Sequence, residues 1–235
     1  MNHFRFDPIS RNAIDMTRTF PFALFALLLA GTSLGAPVSG TVRLLEKGNV
    51  PRSAIREAIV FIEGVRAEFP GGVRSRKVEV ASRNKEFAPH VEAVPLDGTI
   101  HFPNLDNIMH NVFSLTKGNR FDLGLYKDGA GKDFDFKNPG LVRIYCNIHP
   151  QMSAFVHVME NPYFAWVKPD GSFLIENVPP GSYTLKAWHE EGETTKPIVV
   201  TEAGASSIAL DVDVSSYAKR PHLNKFGKPY KRDKY

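Results

Sequence analysis

The sequence predicts an all-β protein, and three observations lead to that prediction. Most of the chain consists of short apolar runs in which hydrophobic and polar residues alternate, as in half-buried strands. Turn-forming triplets separate these runs at Asn138-Pro139-Gly140, Pro169-Asp170-Gly171 and Pro179-Pro180-Gly181. Beyond the first 35 residues, no segment keeps the 3.6-residue apolar period of an amphipathic helix. With 43% hydrophobic residues in 235, the chain can bury one large core or two small ones.

The alternating runs define the expected strands in chain order. Their alternation also predicts which side chains point inward, because successive residues lie on opposite faces of a strand. In the run 141–146, Val142, Ile144 and Cys146 share one face, while Arg143 marks the other face as the wetter one. The strands are expected near residues 41–46, 57–63, 77–82, 86–94, 98–103, 110–115, 121–126, 131–136, 141–146, 153–160, 163–167, 172–175, 181–188, 195–201 and 206–213.

The first 35 residues have the layout of a secretory signal peptide. An apolar run over residues 20–30 follows Arg18 and precedes small residues, and Ser33 and Gly35 fit the small positions before a cleavage site. The run is too short to span a bilayer, which favours cleavage after Gly35 over a retained membrane anchor. Residues 1–15 have the character of an upstream extension. We therefore expect a periplasmic or secreted protein with no transmembrane segment after signal cleavage.

The single cysteine of the chain lies in a short motif with a histidine and a methionine: Cys146, His149 and Met152. A lone cysteine in an exported protein cannot form an internal disulfide, so it is a core residue, a partner for another chain or a metal ligand. His110 adds a second imidazole upstream. A thiolate, two imidazoles and a weak thioether are the ligands of a blue-copper electron-transfer site. Two alternatives remain: zinc, which gives the methionine no role, and a domain that has lost its metal.

Three other histidines are expected to lie outside this site. His157 is on the face of its strand opposite Ala154, so we expect it at the surface or rim. His90 and His101 lie in other expected strands. We interpret both as hydrogen-bonded or exposed histidines in preference to a second metal site.

Residues 77–160 resemble the cupredoxins, the small blue-copper β-sandwiches that include plastocyanin, pseudoazurin and amicyanin. The matching pieces are Phe102-Pro103-Asn104 with Asp106, then His110-Asn111-Val112, then the run from Gly140 to Met152. The short Cys-x-x-His-Pro-x-Met loop is most similar to that of amicyanin. The resemblance implies a Greek-key sandwich, and it covers about a third of the chain.

The same resemblance implies a role for each residue of the site. One type 1 copper ion would be held by His110, Cys146 and His149, with Met152 as the long axial ligand. Asn111, which follows the first histidine, would support the cysteine sulfur through a backbone hydrogen bond. Pro150 would lie with the second histidine in an apolar docking patch through which electrons pass.

A second resemblance covers most of the remaining chain. Asp170-Gly171-Ser172-Phe173 and the run from Val178 to Tyr183 are similar to the turns and strands of carboxypeptidase regulatory-like domains, which are transthyretin-like β-sandwiches. The opening strands of such domains resemble residues 39–43 and 58–62, near the other end of the expected mature protein. We therefore expect the cupredoxin to be inserted in a loop of this sandwich. In the alternative linear order, residues 39–63 would add strands to the cupredoxin.

The C-terminal tail is basic and is the last of five parts in the predicted organisation. Residues 219–235 hold seven Lys and Arg against Asp233 alone, a net charge of +6, so the positive net charge of +4 comes from the tail and the rest of the chain sums to −2. We expect that tail to be flexible and solvated, with a docking arm for an acidic partner or a membrane surface as the alternative. The parts are a signal peptide (1–35), the first strands of the transthyretin-like sandwich (36–70), the cupredoxin (71–160), the remaining strands of that sandwich (161–214) and the basic tail (215–235).

The expected function is electron transfer between larger redox proteins, such as a dehydrogenase and a cytochrome. The chain is not expected to be an enzyme, because it shows no Ser/His/Asp triad, paired-carboxylate site or phosphate-binding loop. Nucleic acid is not an expected partner, because an exported protein is separated from the nucleic acids of the cell. Two alternatives are a copper-handling protein that stores or delivers the ion, and a scaffold module in which the metal only stiffens the fold.

Overall fold

The computed structural model describes Met1 and residues 35–230, apart from residues 71, 73–77, 128, 130 and 220. The predicted signal peptide therefore lies almost wholly outside the described residues. Within them every regular element is a β-strand, which confirms the all-β prediction. None of the described residues belongs to a helix that is long and apolar enough to cross a membrane.

Strands from both ends of the described chain form one β-sandwich, which we call the flanking sandwich. Its strands are β1 (Ala36–Glu46), β2 (Val50–Pro51), β3 (Ile59–Glu63), β14 (Phe164–Trp166), β15 (Ser172–Val178), β16 (Gly181–His189), β17 (Gly192–Val200) and β18 (Ala205–Asp213). One sheet has the order β15-β1-β18, with β2 paired to β1, and the other has the order β14-β3-β16-β17. Strand β1 runs antiparallel to β15 and parallel to β18. Both sheets contribute to one apolar core.

The strands between β3 and β14 form a second sandwich, which we call the central sandwich. They are β4 (Val78–Glu79), β5 (Ala81–Arg83), β6 (Glu86–Ala88), β7 (Val91–Pro95), β8 (Thr99–Phe102), β9 (His110–Ser114), β10 (Phe121–Tyr126), β11 (Lys132–Asp135), β12 (Gly140–Tyr145) and β13 (Ser153–Met159). Its larger sheet has the order β10-β9-β12-β13-β7 and faces the sheet β11-β8-β4, while β5 and β6 form a small ribbon.

The core of the central sandwich follows the alternation read from the sequence. Val142, Ile144 and Cys146 are fully buried, whereas Arg143 on the opposite face is exposed. Burial of this kind is the main stabilising contribution, at about 25 cal/mol per Å² of apolar surface removed from water. The inward face of β12 therefore ends on the cysteine side chain, inside the apolar core.

The two sandwiches share an apolar contact, and this contact corrects one prediction. Ile59 and Trp188 of the flanking sandwich pack with Met159 and two residues of β7. His157 was expected at the surface but is only 4% exposed, and its ring lies 4.5 Å from that of Trp188. The predicted face is correct, but the flanking sandwich covers it. Burial lowers the pKa of His157 to about 3, so the imidazole is neutral at pH 7.

Candidate metal centre

The loop before β9 holds His110 at the end of the central sandwich. Asn104, at 1% exposure, donates hydrogen bonds from Nδ2 to the carbonyl oxygens of Ile108 (2.9 Å) and Tyr126 (3.0 Å). Its Oδ1 atom accepts the backbone N–H of Asp106 at 3.0 Å. A buried amide whose donors and acceptor are all used fixes the loop in one conformation. His110 therefore enters β9 in a fixed place, with its ring fully buried.

The loop between β12 and β13 carries the other three predicted ligands. The backbone N–H of Cys146 donates to the carbonyl oxygen of Met152 at 3.3 Å, and the N–H of Met152 donates to that of His149 at 3.0 Å. These bonds close a tight loop in which the chain reverses between two antiparallel strands. Cys146 and Met152 are both buried in the central core, at 0% and 1% exposure.

Three donor atoms from these two loops converge. Nδ1 of His110 and Nδ1 of His149 lie 3.1 Å apart. The sulfur of Cys146 lies 4.0 Å from the first of these nitrogens and 3.8 Å from the second. Donors that share one ion, at roughly 2.1 Å for nitrogen and 2.3 Å for sulfur, are separated by at most about 4.4 Å. The three atoms meet this limit, so the donor set fits a single metal ion with sulfur and imidazole ligands.

Asp106 orients the first histidine, a role that the sequence motif did not predict. Nε2 of His110 donates to the carboxylate of Asp106 at 2.8 Å, which leaves Nδ1 with a free lone pair directed at the other donors. Burial opposes ionisation of Asp106, but hydrogen bonds from the Lys85 backbone, from His110 and from the Asn84 backbone outweigh it and lower its pKa. A carboxylate behind a ligating histidine fixes the tautomer and raises the basicity of the ligand. The spacing of Asp106 and His110 carried no signal for this contact, because residues four apart are neighbours on a helix and these two lie in a loop and at the start of a strand.

The second histidine is the more accessible donor. Burial, together with the nearby charges of His110 and Lys85, lowers the pKa of His149, so this ring gives up its proton more readily than a free histidine. Its exposure is intermediate, and the next residue, Pro150, is exposed. Pro150 lines a groove of about 820 Å³ that also borders Tyr145 and His222. The predicted docking residue thus lies on an accessible surface beside the donor cluster.

The roles predicted for Met152 and Asn111 stay predictions. Met152 is buried at the end of the ligand loop, in the same core as the cysteine, but its role as axial ligand is a prediction from the motif. The side chain of Asn111 is occupied elsewhere: its Nδ2 donates to Asp122 at 2.7 Å and to the carbonyl oxygen of Gly124 at 2.9 Å. These bonds link β9 to β10. The backbone hydrogen bond from Asn111 to the cysteine sulfur stays a prediction.

Residues 221–230 of the basic tail lie against the ligand loop, although the sequence suggested a flexible, solvated tail. The hydroxyl of Tyr230 donates to the carbonyl oxygen of Cys146 at 2.7 Å. The backbone N–H of Lys225 donates to the side-chain oxygen of Asn147 at 3.0 Å. The ring of His222 stacks on Tyr145 with a centroid distance of 4.0 Å. The tail therefore contacts three consecutive residues, Tyr145, Cys146 and Asn147, at the start of the ligand loop.

Comparison with solved structures finds cupredoxins, each matching part of the chain. A purple cupredoxin from Nitrosopumilus maritimus aligns over 35% of this chain and 100% of its own, with 19% identity and a TM-score of 0.33. A copper-containing nitrite reductase from Thermus scotoductus SA-01 aligns over 38% of this chain and 24% of its own, with 23% identity and a TM-score of 0.36. A Cu(I) amicyanin variant aligns over 44% of this chain and 100% of its own, with 17% identity and a TM-score of 0.34. At these scores the likeness supports no conclusion about the chemistry of the site. That chemistry is argued from the geometry of the donor atoms alone.

Sequence comparisons add one partial match. The family described as polysaccharide lyase family 4, domain II, matches residues 152–208, which run from the end of the ligand loop into β18. This segment is less than half of the chain and belongs mostly to the flanking sandwich. The search of curated proteins returns no match. The likeness to carboxypeptidase regulatory-like domains therefore stays a prediction from the sequence.

Proposed function

We propose that this protein is a periplasmic type 1 copper protein that carries single electrons between redox partners. The observation that supports the proposal is the convergence of a buried cysteine sulfur and two histidine Nδ1 atoms within 4.0 Å of one another. A soft thiolate beside two imidazoles selects copper over magnesium or calcium, and the nearby methionine suits copper better than zinc. Bound copper would supply a Cu(II)/Cu(I) couple.

The residues of the chain would keep that couple in one geometry. His110 is fully buried and is hydrogen-bonded to Asp106. The carboxylate of Asp106 in turn accepts the backbone N–H groups of Asn84 and Lys85, in the turn that connects β5 to β6. Cys146 is fully buried at the end of β12. A rigid site of this kind changes little between oxidation states, which favours rapid electron transfer over substrate binding. His149 is the accessible donor, and we assign the electron path to it and to the surface around Pro150.

The partner follows from the chemistry alone. A site that exchanges one electron at a time requires a donor and an acceptor that are themselves redox proteins, such as a dehydrogenase and a cytochrome. Export through the predicted signal peptide would place the protein in the periplasm. The proposal assigns no catalytic residue, because electron relay needs no bond to be made or broken in a substrate.

Voltammetry of the copper-loaded protein tests the relay. We expect a reversible one-electron couple and fast self-exchange between oxidised and reduced molecules. Ready loss of copper to a competing periplasmic copper protein, with slow self-exchange, would favour copper handling and contradict the relay. Partner binding that persists unchanged in Cys146→Ser, in a protein without a reversible couple, would favour the scaffold alternative. A His101→Gln variant controls for loss of a histidine outside the donor cluster.

A further inference from the structure

Residues 221–230, the segment of the basic tail that lies on the ligand loop, form an ordered turn with its own hydrogen bonds. The side-chain oxygen of Asn224 accepts the backbone N–H groups of Phe226 (3.0 Å) and Lys228 (3.1 Å). The backbone N–H of Asn224 donates to the carbonyl oxygen of Lys228, and its carbonyl oxygen accepts the N–H of Gly227, both at 2.8 Å. The glycine has a φ of 71°, which few other residues adopt at low cost. The segment therefore presents its side chains from a defined backbone.

The first set of tail contacts is made with Cys146 and with the residues on either side of it. Tyr230 donates to the carbonyl oxygen of Cys146 at 2.7 Å and contacts the ring nitrogen of His222 at 3.3 Å. His222 in turn lies nearly parallel to Tyr145, at an interplanar angle of 16°. With the bond from Lys225 to Asn147, the tail holds the cysteine and the residues on both sides of it.

A second contact reaches β10, the strand that is paired with β9. The ammonium group of Lys225 lies 2.7 Å from Asp122, whose other oxygen accepts the side chain of Asn111 at 2.7 Å. Burial opposes ionisation of Asp122, but the hydrogen bonds from Lys225 and Asn111 outweigh it and lower its pKa. The backbone of Lys225 therefore holds the Cys146 loop at Asn147, and its side chain holds Asp122 of β10. Asp122 in turn bonds Asn111, the residue that follows His110 in β9.

These contacts do not serve the cores of the two sandwiches. Among the described residues, the three apolar cores contain no member of the segment 221–230. Ordering ten residues of chain costs conformational entropy, which only specific contacts can offset. The contacts that do so here are concentrated on the cysteine loop and on Asp122 of β10, which bonds the residue after the first histidine.

We propose that residues 221–230 act as a clasp that fixes the ligand loop Cys146–Met152 against β9, with Lys225 and Tyr230 as positioning residues. For its consequences at the metal, this inference rests on the proposed function. Held donors lose less freedom on binding an ion, so the clasp raises copper affinity. Its hydrogen bond from Tyr230 also draws electron density from the carbonyl of Cys146, which favours the less charged Cu(I) site. The clasp therefore raises the reduction potential.

Hydrogen exchange in the copper-free protein tests the clasp without any metal. The reporters are the amides of Cys146 and Met152, whose hydrogen bonds close the ligand loop. Tyr230→Phe removes only the hydroxyl, and Lys225→Met removes the ammonium group but keeps the backbone donor to Asn147. We expect the double variant to exchange both reporter amides at least several-fold faster than the wild type. Unchanged exchange would overturn the proposal.

Tyr183→Phe is the matched control. Its hydroxyl also donates to a backbone carbonyl, that of Pro179 at 2.8 Å, but it lies in the flanking sandwich. This variant should leave the exchange of both reporter amides, the copper affinity and the reduction potential unchanged. A control that speeds exchange of the reporters as much as the double variant does would show a general loss of stability and would overturn the specific role.

Copper titration and voltammetry then measure the consequence at the metal. The double variant should bind copper about tenfold more weakly, which is the usual size of an outer-contact effect, and its reduction potential should fall. Faster exchange with unchanged affinity and potential would overturn the positioning role. If the wild type forms no blue copper site, the proposed function fails, while the exchange of the copper-free protein still decides whether the tail holds the loop.

Discussion

The two sandwiches bury similar apolar residues but use the polar side chains of their loops differently. In the flanking sandwich, Asp170 accepts the N–H and the hydroxyl of Ser172, so its carboxylate serves the turn itself. In the central sandwich, Asn104 also serves its own loop, but that loop leads to His110, whose Nδ1 atom faces a thiol and a second imidazole. Among the described residues, the three-residue group able to hold a metal lies only at this end. A few loop residues therefore decide whether a sandwich of this kind carries a donor cluster that could hold a metal.

The largest expected effect comes from removing one buried phenylalanine from each core. Phe136→Ala in the central core and Phe173→Ala in the flanking core should each lower the free energy of unfolding by about 3–5 kcal/mol, because each leaves a cavity. Only Phe136→Ala should also weaken copper binding, since Phe136 shares its core with Cys146. Denaturant unfolding and copper titration of both variants measure these effects. Equal losses of copper affinity would break the distinction between the sandwiches.

The contact between the sandwiches should be the acid-sensitive part of the molecule. His157 has a folded-state pKa of about 3, below the value of 6.5 expected in the unfolded chain. Between these values the unfolded chain binds the extra proton, so stability falls as pH falls from 6.5 towards 3. By pH 4 the loss is about 3 kcal/mol.

His157→Phe should remove this acid sensitivity, because it replaces a buried imidazole whose Nε2 has no hydrogen-bond partner among the described residues. Urea unfolding of both proteins at pH 7 and pH 4 measures the difference. Parallel losses of stability in the wild type and the variant would show that other groups govern the acid response. Copper binding at pH 7 should be the same in both, since His157 lies outside the donor cluster.

A smaller effect is expected when the carboxylate behind the first histidine is neutralised. Asp106→Asn should weaken copper binding by about 10- to 100-fold, because His110 loses the charged acceptor that orients its ring. Competition with a chelator of known copper affinity measures the change. Asp133→Asn is the control, since Asp133 pairs with His101 outside the cluster. If both variants kept wild-type affinity, Asp106 would have no role at the site.

The all-β class and the proximity of Cys146 to His149 could be predicted from the sequence, because both depend on local pattern. His110 lies 36 residues from Cys146 and was assigned from its donor chemistry and from the resemblance to cupredoxins. Strand alternation placed Cys146 inward, and the motif from Cys146 to Met152 needed only one tight loop to bring its residues together.

The position of His157 could not be predicted, because alternation gives the face of a strand but not what covers it. The docking of the tail was also missed. Its contacts depend on single polar residues, such as Lys225 and Tyr230, that look like a solvated terminus when read in order.

The most direct test of the account is the visible and electron paramagnetic resonance spectrum of the mature protein after addition of copper(II). We predict an intense blue thiolate-to-copper band and narrow copper hyperfine splitting, both absent in Cys146→Ser. This result requires the sulfur of Cys146 and the imidazoles of His110 and His149 to act on one ion. A colourless wild-type protein with an ordinary copper(II) spectrum would contradict the blue-copper assignment.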